Sequence, residues 1–229
     1  MNRFNFMKYF TEDEIRQRFT LKLPTGYLSH SQMEAWGDSV KSKESYRKAY
    51  YGGQRFTGNM YTDFGNKVTL AMAKNEPWVA FLPRFSVFER DFIIDVDGIP
   101  FKGSIDQFEP GPNAFVEQKT VMARWSDNKI AKHKQFDRYS LAIEMLDGFV
   151  QDQAWFLDVR TAVNEKKEMF QGIELSGGSG ELELTGEFNM IPRIVTHDDR
   201  RREYENIVRI GREIEEDFAA VGHLYRTVV

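Results

Sequence analysis

Between Phe85 and Thr120 the chain carries three short apolar runs on either side of two turn signals, and this stretch constrains what the rest can build. Phe85, Val87 and Phe88 lead into Phe92-Ile93-Ile94. Asp97-Gly98 marks a tight turn before Ile99 to Ile105, and Pro110-Gly111-Pro112-Asn113 precedes Phe115-Val116. Such runs, bounded by Gly, Pro, Asn and Asp, predict a three-stranded meander. The flanking segments have a different period. Ser29-His30-Ser31-Gln32 places Gln three residues after Ser, the spacing of a capping box, ahead of Met33 and Trp36. Phe64, Val68 and Met72 predict a helix near 60–74, and Gln135, Tyr139, Ala142 and Leu146 share one face of a helix over 128–147. A strand pair is expected at 154–159 and 169–175, and 181–185 alternates Leu with polar residues like a half-exposed strand. A charged amphipathic helix from His197 to about Val221 turns Ile207, Ile210, Ile214 and Phe218 inward, and Arg200-Arg201-Arg202 reads as a solvated turn. One mixed β-sheet flanked by α-helices, an α/β fold, is the economical arrangement of this order.

Composition narrows the chemistry. The 229 residues include no Cys, which excludes disulfides, thiolate zinc sites, Cys-ligated iron–sulfur clusters and a cysteine nucleophile. A formal net charge of −4 disfavours a protein coated in nucleic acid and leaves room only for a local basic surface. Met1 to Tyr9 lacks the apolar core of a secretion signal, and no stretch approaches the ~18 apolar residues of a membrane span. A cytoplasmic protein without membrane contact is expected. Residues 1–26, with a capping-box pattern at Thr11-Glu12-Asp13-Glu14 and a break at Pro24-Thr25-Gly26, read as an N-terminal extension to a single domain at 27–229. There is no Gly-rich phosphate loop ending Gly-Lys-Ser/Thr, no Gly-x-Ser-x-Gly and no His-Glu-x-x-His. Any helicase activity has to come from another chain.

The residues that can carry chemistry lie in Gly103-Ser104-Ile105-Asp106 and in Val116-Glu117-Gln118-Lys119-Thr120. Side chains alternate along a strand, so Glu117 and Lys119 share a face, and Asp106 on the neighbouring strand can join them. Two carboxylates suit a hard divalent cation, and a Lys beside it can hold phosphate or orient water. The spacing is weak by itself, because acid-x-Lys recurs at Asp127-Asn128-Lys129, where Asp127 sits at a helix start, and at Glu165-Lys166-Lys167, in a turn. A cross-strand ion pair with a spare carboxylate is the alternative. Tyr139 on a helical stripe is ordinarily core, and His133 is ordinarily a surface residue. Lys41, Lys43, Arg47 and Lys48 are ordinarily a solvated helix face.

Taken in order, these segments resemble the PD-(D/E)XK nuclease superfamily, particularly its RecB-like exonuclease branch, over about residues 27–147. Leu28-Ser29-His30-Ser31 is similar to that branch's serine-led helix, Gly103-Ser104-Ile105-Asp106 to its Gly-x-Ile-Asp strand, Glu117-Gln118-Lys119-Thr120 to its Asp/Glu-x-Lys-Thr strand, and Gln135 to Tyr139 to its Gln-x-x-x-Tyr helix. The resemblance implies a restriction-endonuclease-like core and a DNA nuclease dependent on Mg²⁺ or Mn²⁺. Asp106, Glu117 and the Gln118 carbonyl would be metal ligands, Lys119 the catalytic amine, and Gln135 and Tyr139 substrate-positioning groups. It makes Lys41, Lys43, Arg47, Lys48, Lys129 and Lys132 candidates for the DNA backbone, and implies a helicase or recombination protein on another chain as a partner. Gly65-Asn66-Lys67-Val68-Thr69 stands where the branch has Gly-x-x-x-His, so Thr69 leaves a weaker, neutral oxygen as the helix-side contact, and the branch's cluster-binding cysteines are absent. A catalytically silent DNA-binding or assembly subunit is the alternative this departure raises; a small-molecule binder has no motif behind it.

Overall fold

The computed structural model describes residues 23–52, 60–148, 153–164, 168–170, 173–175 and 181–225. The expected capping box at Thr11 to Glu14 and the acid-x-Lys element at Glu165 to Lys167 lie outside these residues. Of the segment read as an extension, Leu23 to Gly26 is described, and Leu23 is buried in the core.

A six-stranded mixed sheet carries the fold. Its meander comprises β2 (Val87–Val96), β3 (Ile99–Glu109) and β4 (Ala114–Val121), all antiparallel. Short β1 (Leu28–Ser29) lies parallel to β3, β5 (Gln153–Asn164) lies parallel to β4, and β8 (Glu181–Ile194) closes the edge antiparallel to β5. Pro192 is tolerated in β8 because that strand is an edge. The expected pairing of 154–159 with 169–175 is corrected: β5 pairs with β8, while β6 (Glu168–Phe170) and β7 (Ile173–Leu175) pair with each other.

Helices cover both faces. On one face lie α1 (His30–Trp36), α5 (Gln135–Asp147) and α6 (His197–Val221), packed on Phe101, Ile105, Phe115 and Phe156; α2 (Val40–Tyr46) continues α1 toward α6. On the other, α3 (Met60–Ala73) sets Val68, Ala71 and Met72 against Val116, Leu157 and Val159. No described helix is long and apolar enough to cross a membrane. The helix expected at 128–147 is two: α4 (Asp127–Ala131), capped by Ser126, and α5, with Lys132 to Lys134 between them. Half of the expected capping box on α1 forms, Ser29 Oγ accepting from Gln32 N, while the Gln32 amide donates instead to Thr25 Oγ1 at 2.8 Å. The reading of Arg200 to Arg202 as a turn is corrected. They lie in the first turns of α6, behind a complete Thr196/Asp199 capping box, and Arg200 is buried, with Nε 2.7 Å from Glu144 and Nη1 donating to the Val195 carbonyl at 2.9 Å.

Part of the basic run, Lys43 of α2 and Arg47 just after it, also joins the scaffold, while Lys41 and Lys48 stay exposed. Lys43 sits over the Trp36 ring and 3.7 Å from Glu213, and Lys48 faces Glu44. Arg47 clasps Asp217 through Nε at 2.9 Å, and Tyr51 donates to the same carboxylate. Burial alone would raise the Asp217 pKa; the bonds from Arg47 and Tyr51 outweigh it and hold the carboxyl below its usual range. That stabilisation is therefore present above the unfolded value near about 4 and is lost as pH falls through the lower folded value. Asp217→Asn should lower neutral-pH stability by roughly 1–3 kcal/mol, typical of charge-assisted hydrogen bonds. Its deficit against wild type, read from urea melts, should close below about pH 4.

Candidate active site

Strand β3 has β2 along one whole edge. Its other edge is shared. Near its start Phe101 and Lys102 pair with β1, and near its end Gln107 to Glu109 pair with β4. Between these contacts, Gly103 to Asp106 have no strand partner on that edge, because β4 has swung away to run with β5. The candidate residues sit at this opening. One step beyond the last rung, Gln107↔Val116, the register brings Asp106 and Glu117 opposite each other, and the Gln118 N–H donates to Asp106 Oδ2 at 2.7 Å.

Glu117 is fully buried and neither oxygen makes a well-formed hydrogen bond, although the Lys119 ammonium lies against Oε1. Burial, then the charge of Asp106, pushes the Glu117 carboxyl up to about 8. Burial also raises Asp106, against the pull of Lys119 and the Gln118 N–H. For Lys119, burial lowers the pKa but the two carboxylates outweigh it and hold the ammonium above its ordinary value. Two carboxyl groups thus face one ammonium, and with Glu117 ionised the cluster is one positive charge short. Among the described residues no group of three or more His, Asp and Glu could hold a metal ion. The donor set is two carboxylates, one buried without a well-formed hydrogen bond, and this fits a hard divalent cation that keeps several of its waters.

Two cavities meet at Lys119. The larger, about 670 Å³, is lined by Ser29, His30, Lys102, Lys119, Gln135 and Tyr139 among others. The smaller, about 310 Å³, lies under α3 and is lined by Thr69, Asp106, Gln118, Lys119 and Thr120 among others. Thr69 is engaged: its hydroxyl donates to the Gly65 carbonyl at 3.2 Å and accepts from the Gln118 amide, whose oxygen takes a bond from Gln107. Gln135 and Tyr139 reach the site together, and burial, then the two carboxylates, raises the Tyr139 pKa. Lys41, Lys43, Arg47, Lys48, Lys129 and Lys132 line neither cavity, and Lys129 stacks 3.6 Å over Trp125. The reading of His133 as a surface residue is corrected: it is half-buried, edge-on to Trp125 and Phe136, and lines the larger cavity. Sequence reasoning missed one group at the site, His30, placed by β1 docking, which two residues of strand do not announce. Asp158, the register partner of Lys119, is buried but lines neither cavity.

No family model matches the chain, and no curated protein matches it. Among solved structures it is similar to a phage-related exonuclease from Haemophilus somnus 129PT, at a TM-score of 0.49 and 13% identity, covering 85% of this chain and 95% of that one. It is also similar to a protein from Eubacterium rectale named as a candidate exonuclease, at a TM-score of 0.40 and 12% identity, covering 95% of this chain and 87% of that one. Likenesses this distant carry no activity across to this chain, whose class is the α/β fold described above.

The glycine of the β3 motif has a steric role. A Cβ on Gly103 would lie 2.5 Å from the Phe92 ring and 2.9 Å from Tyr139, so the bare backbone lets Tyr139 lie on the strand beside the site. Gly103→Ala should cost about 1–3 kcal/mol through overpacking. Chemical denaturation measures the loss, and the Tyr139 ring signals in NMR should shift.

Proposed function

We propose that this protein is a divalent-metal-dependent DNA nuclease of the PD-(D/E)XK type, an exonuclease of the RecB-like kind. The observation that carries the reading is the convergence of Asp106, Glu117 and Lys119 where β3 and β4 part, with the buried Glu117 carboxyl held against the Lys119 ammonium and making no well-formed hydrogen bond. Asp106 and Glu117 would hold the ion, with the Gln118 main-chain carbonyl as the third candidate ligand. Bound Mg²⁺ or Mn²⁺ supplies positive charge against the charge that builds on the phosphate and makes a nearby water more acidic. Lys119 faces both cavities, so its ammonium can hold a phosphate oxygen or orient the attacking water. Gln135 and Tyr139 wall the larger cavity and position the strand. Lys129 on α4 and Lys132 just after it, both exposed, are placed to meet the backbone farther out.

The rival, a catalytically silent DNA-binding or assembly subunit, rests on Thr69, whose hydroxyl is occupied by Gln118 and Gly65. Purified protein should degrade linear DNA with Mg²⁺ or Mn²⁺ and not in EDTA, and Lys119→Ala should abolish turnover while retaining DNA binding. Salt-sensitive binding without cleavage would select the rival. A thermal melt tests the metal separately. Mn²⁺ should raise the wild-type midpoint, and Asp106→Asn should keep or slightly raise the metal-free midpoint while losing the Mn²⁺ shift. A metal-independent drop in the variant, with no shift in wild type, would identify an ordinary ion pair.

A further inference from the structure

His30 opens α1 directly after the β1 rung on β3, so its ring stands at the larger cavity, across from Lys119. Its Nδ1 lies 2.6 Å from Arg138 Nη1. A guanidinium can only donate, so Nδ1 is the acceptor and the proton of the neutral ring sits on Nε2. Arg138 is held in turn, by Glu203 at 2.9 Å on Nε and by Glu34 at 2.9 Å on Nη1, and both Arg138 and Glu203 are buried. No other described residue bonds to the His30 ring nitrogens. His133 meets the ring only edge-on, with centroids 5.4 Å apart. Burial, then the charges of Arg138, His133 and Lys119, pushes the His30 pKa down to about 2, so the ring stays neutral at working pH. Lys102 and Lys119 bring two ammonium groups to the cavity wall, matched in number by Asp91 and Glu34, so a phosphate there is recognised by directed donors and not by net charge.

We propose that His30 is a substrate-binding residue whose Nε2–H donates to a backbone phosphate oxygen of the DNA strand lying in this cavity, and that Arg138 is the positioning residue that fixes its tautomer. The inference rests on the nuclease reading and adds to it a contact outside the Asp106, Glu117 and Lys119 set. A neutral donor of fixed direction adds orientation to the site without another charge. Gln135 and Tyr139, on the same helix as Arg138, wall the same space, so one buried pair, Arg138–Glu203, anchors both sides of the proposed strand path.

The test is steady-state cleavage of an oligonucleotide in Mn²⁺ by wild type, His30→Ala and His30→Gln, whose amide N–H can stand near the Nε2 position. His30→Ala should raise KM about tenfold, the scale of one phosphate hydrogen bond, with a smaller change in kcat, and His30→Gln should recover most of the loss. Nitrogen NMR of the wild-type ring should show the Nε2–H tautomer, unchanged between about pH 5 and 8. An Nδ1–H tautomer, a ring that titrates in that range, or a folded His30→Ala with wild-type KM overturns the inference; the ring spectrum decides it even where the alanine variant is unstable. A wild type that leaves DNA intact overturns the nuclease reading and this one with it, whereas cleavage by wild type and His30→Ala alike overturns this one alone.

Discussion

The site exists because two neighbouring strands stop pairing. β3 and β4 share three rungs, from Glu109↔Ala114 to Gln107↔Val116, and then separate. At the point of separation a main-chain donor that would have continued the ladder, the Gln118 N–H, turns to the Asp106 carboxylate. β1 pairs with the edge that β4 has left and brings α1, with Ser29 and His30, to the gap. An uninterrupted ladder would have buried Asp106 and Glu117 as a repelling pair with no room for anything between them.

The charge distribution follows a similar division. On the α6 side positive groups are matched with carboxylates across elements: Arg47 with Asp217, Arg138 with Glu203 and Arg200 with Glu144. Removing one partner of the buried Arg138–Glu203 pair costs several kcal/mol and of the partly exposed pairs less, so these positions belong to the scaffold and the basic residues there are largely spent. The opening is the reverse case, where Asp106 and Glu117 share the single Lys119 ammonium and Glu117 makes no well-formed hydrogen bond. Buried polar groups are normally bonded, so the Glu117 carboxyl is an exception among the described residues that calls for a physical reason.

Much of this was legible in the residues. Turn chemistry at Asp97-Gly98 and Pro110 to Asn113 laid out the three strands, and strand parity put Glu117 and Lys119 on one face with Asp106 beside them. What sequence could not show is where a ladder ends, since strand patterning is the same on either side of Gln107↔Val116. Charge pattern likewise could not distinguish a solvated face from one apposed to α6, because the partners of Lys43 and Arg47 lie some 170 residues away. The break between α4 and α5 has no Gly or Pro to announce it; it comes with His133 wedged against Trp125, Phe136 and His30. For β5, adjacency in sequence favoured the wrong partner: β6 and β7 satisfy each other and leave β5 to the longer β8.

The three rungs next to the Pro110 to Asn113 turn act mechanically as the pivot of a pair of tongs whose jaws are Asp106 and Glu117. With Asn113 N bonded back to the Pro110 carbonyl at 3.3 Å, the pivot is short and stiff. A rotation there moves Asp106 and Glu117 with it, since they lie one residue beyond the last rung. Residues that never approach the chemistry can therefore set the gape of the jaws, and a related chain could resize its site by altering a surface turn while keeping every residue of the site unchanged.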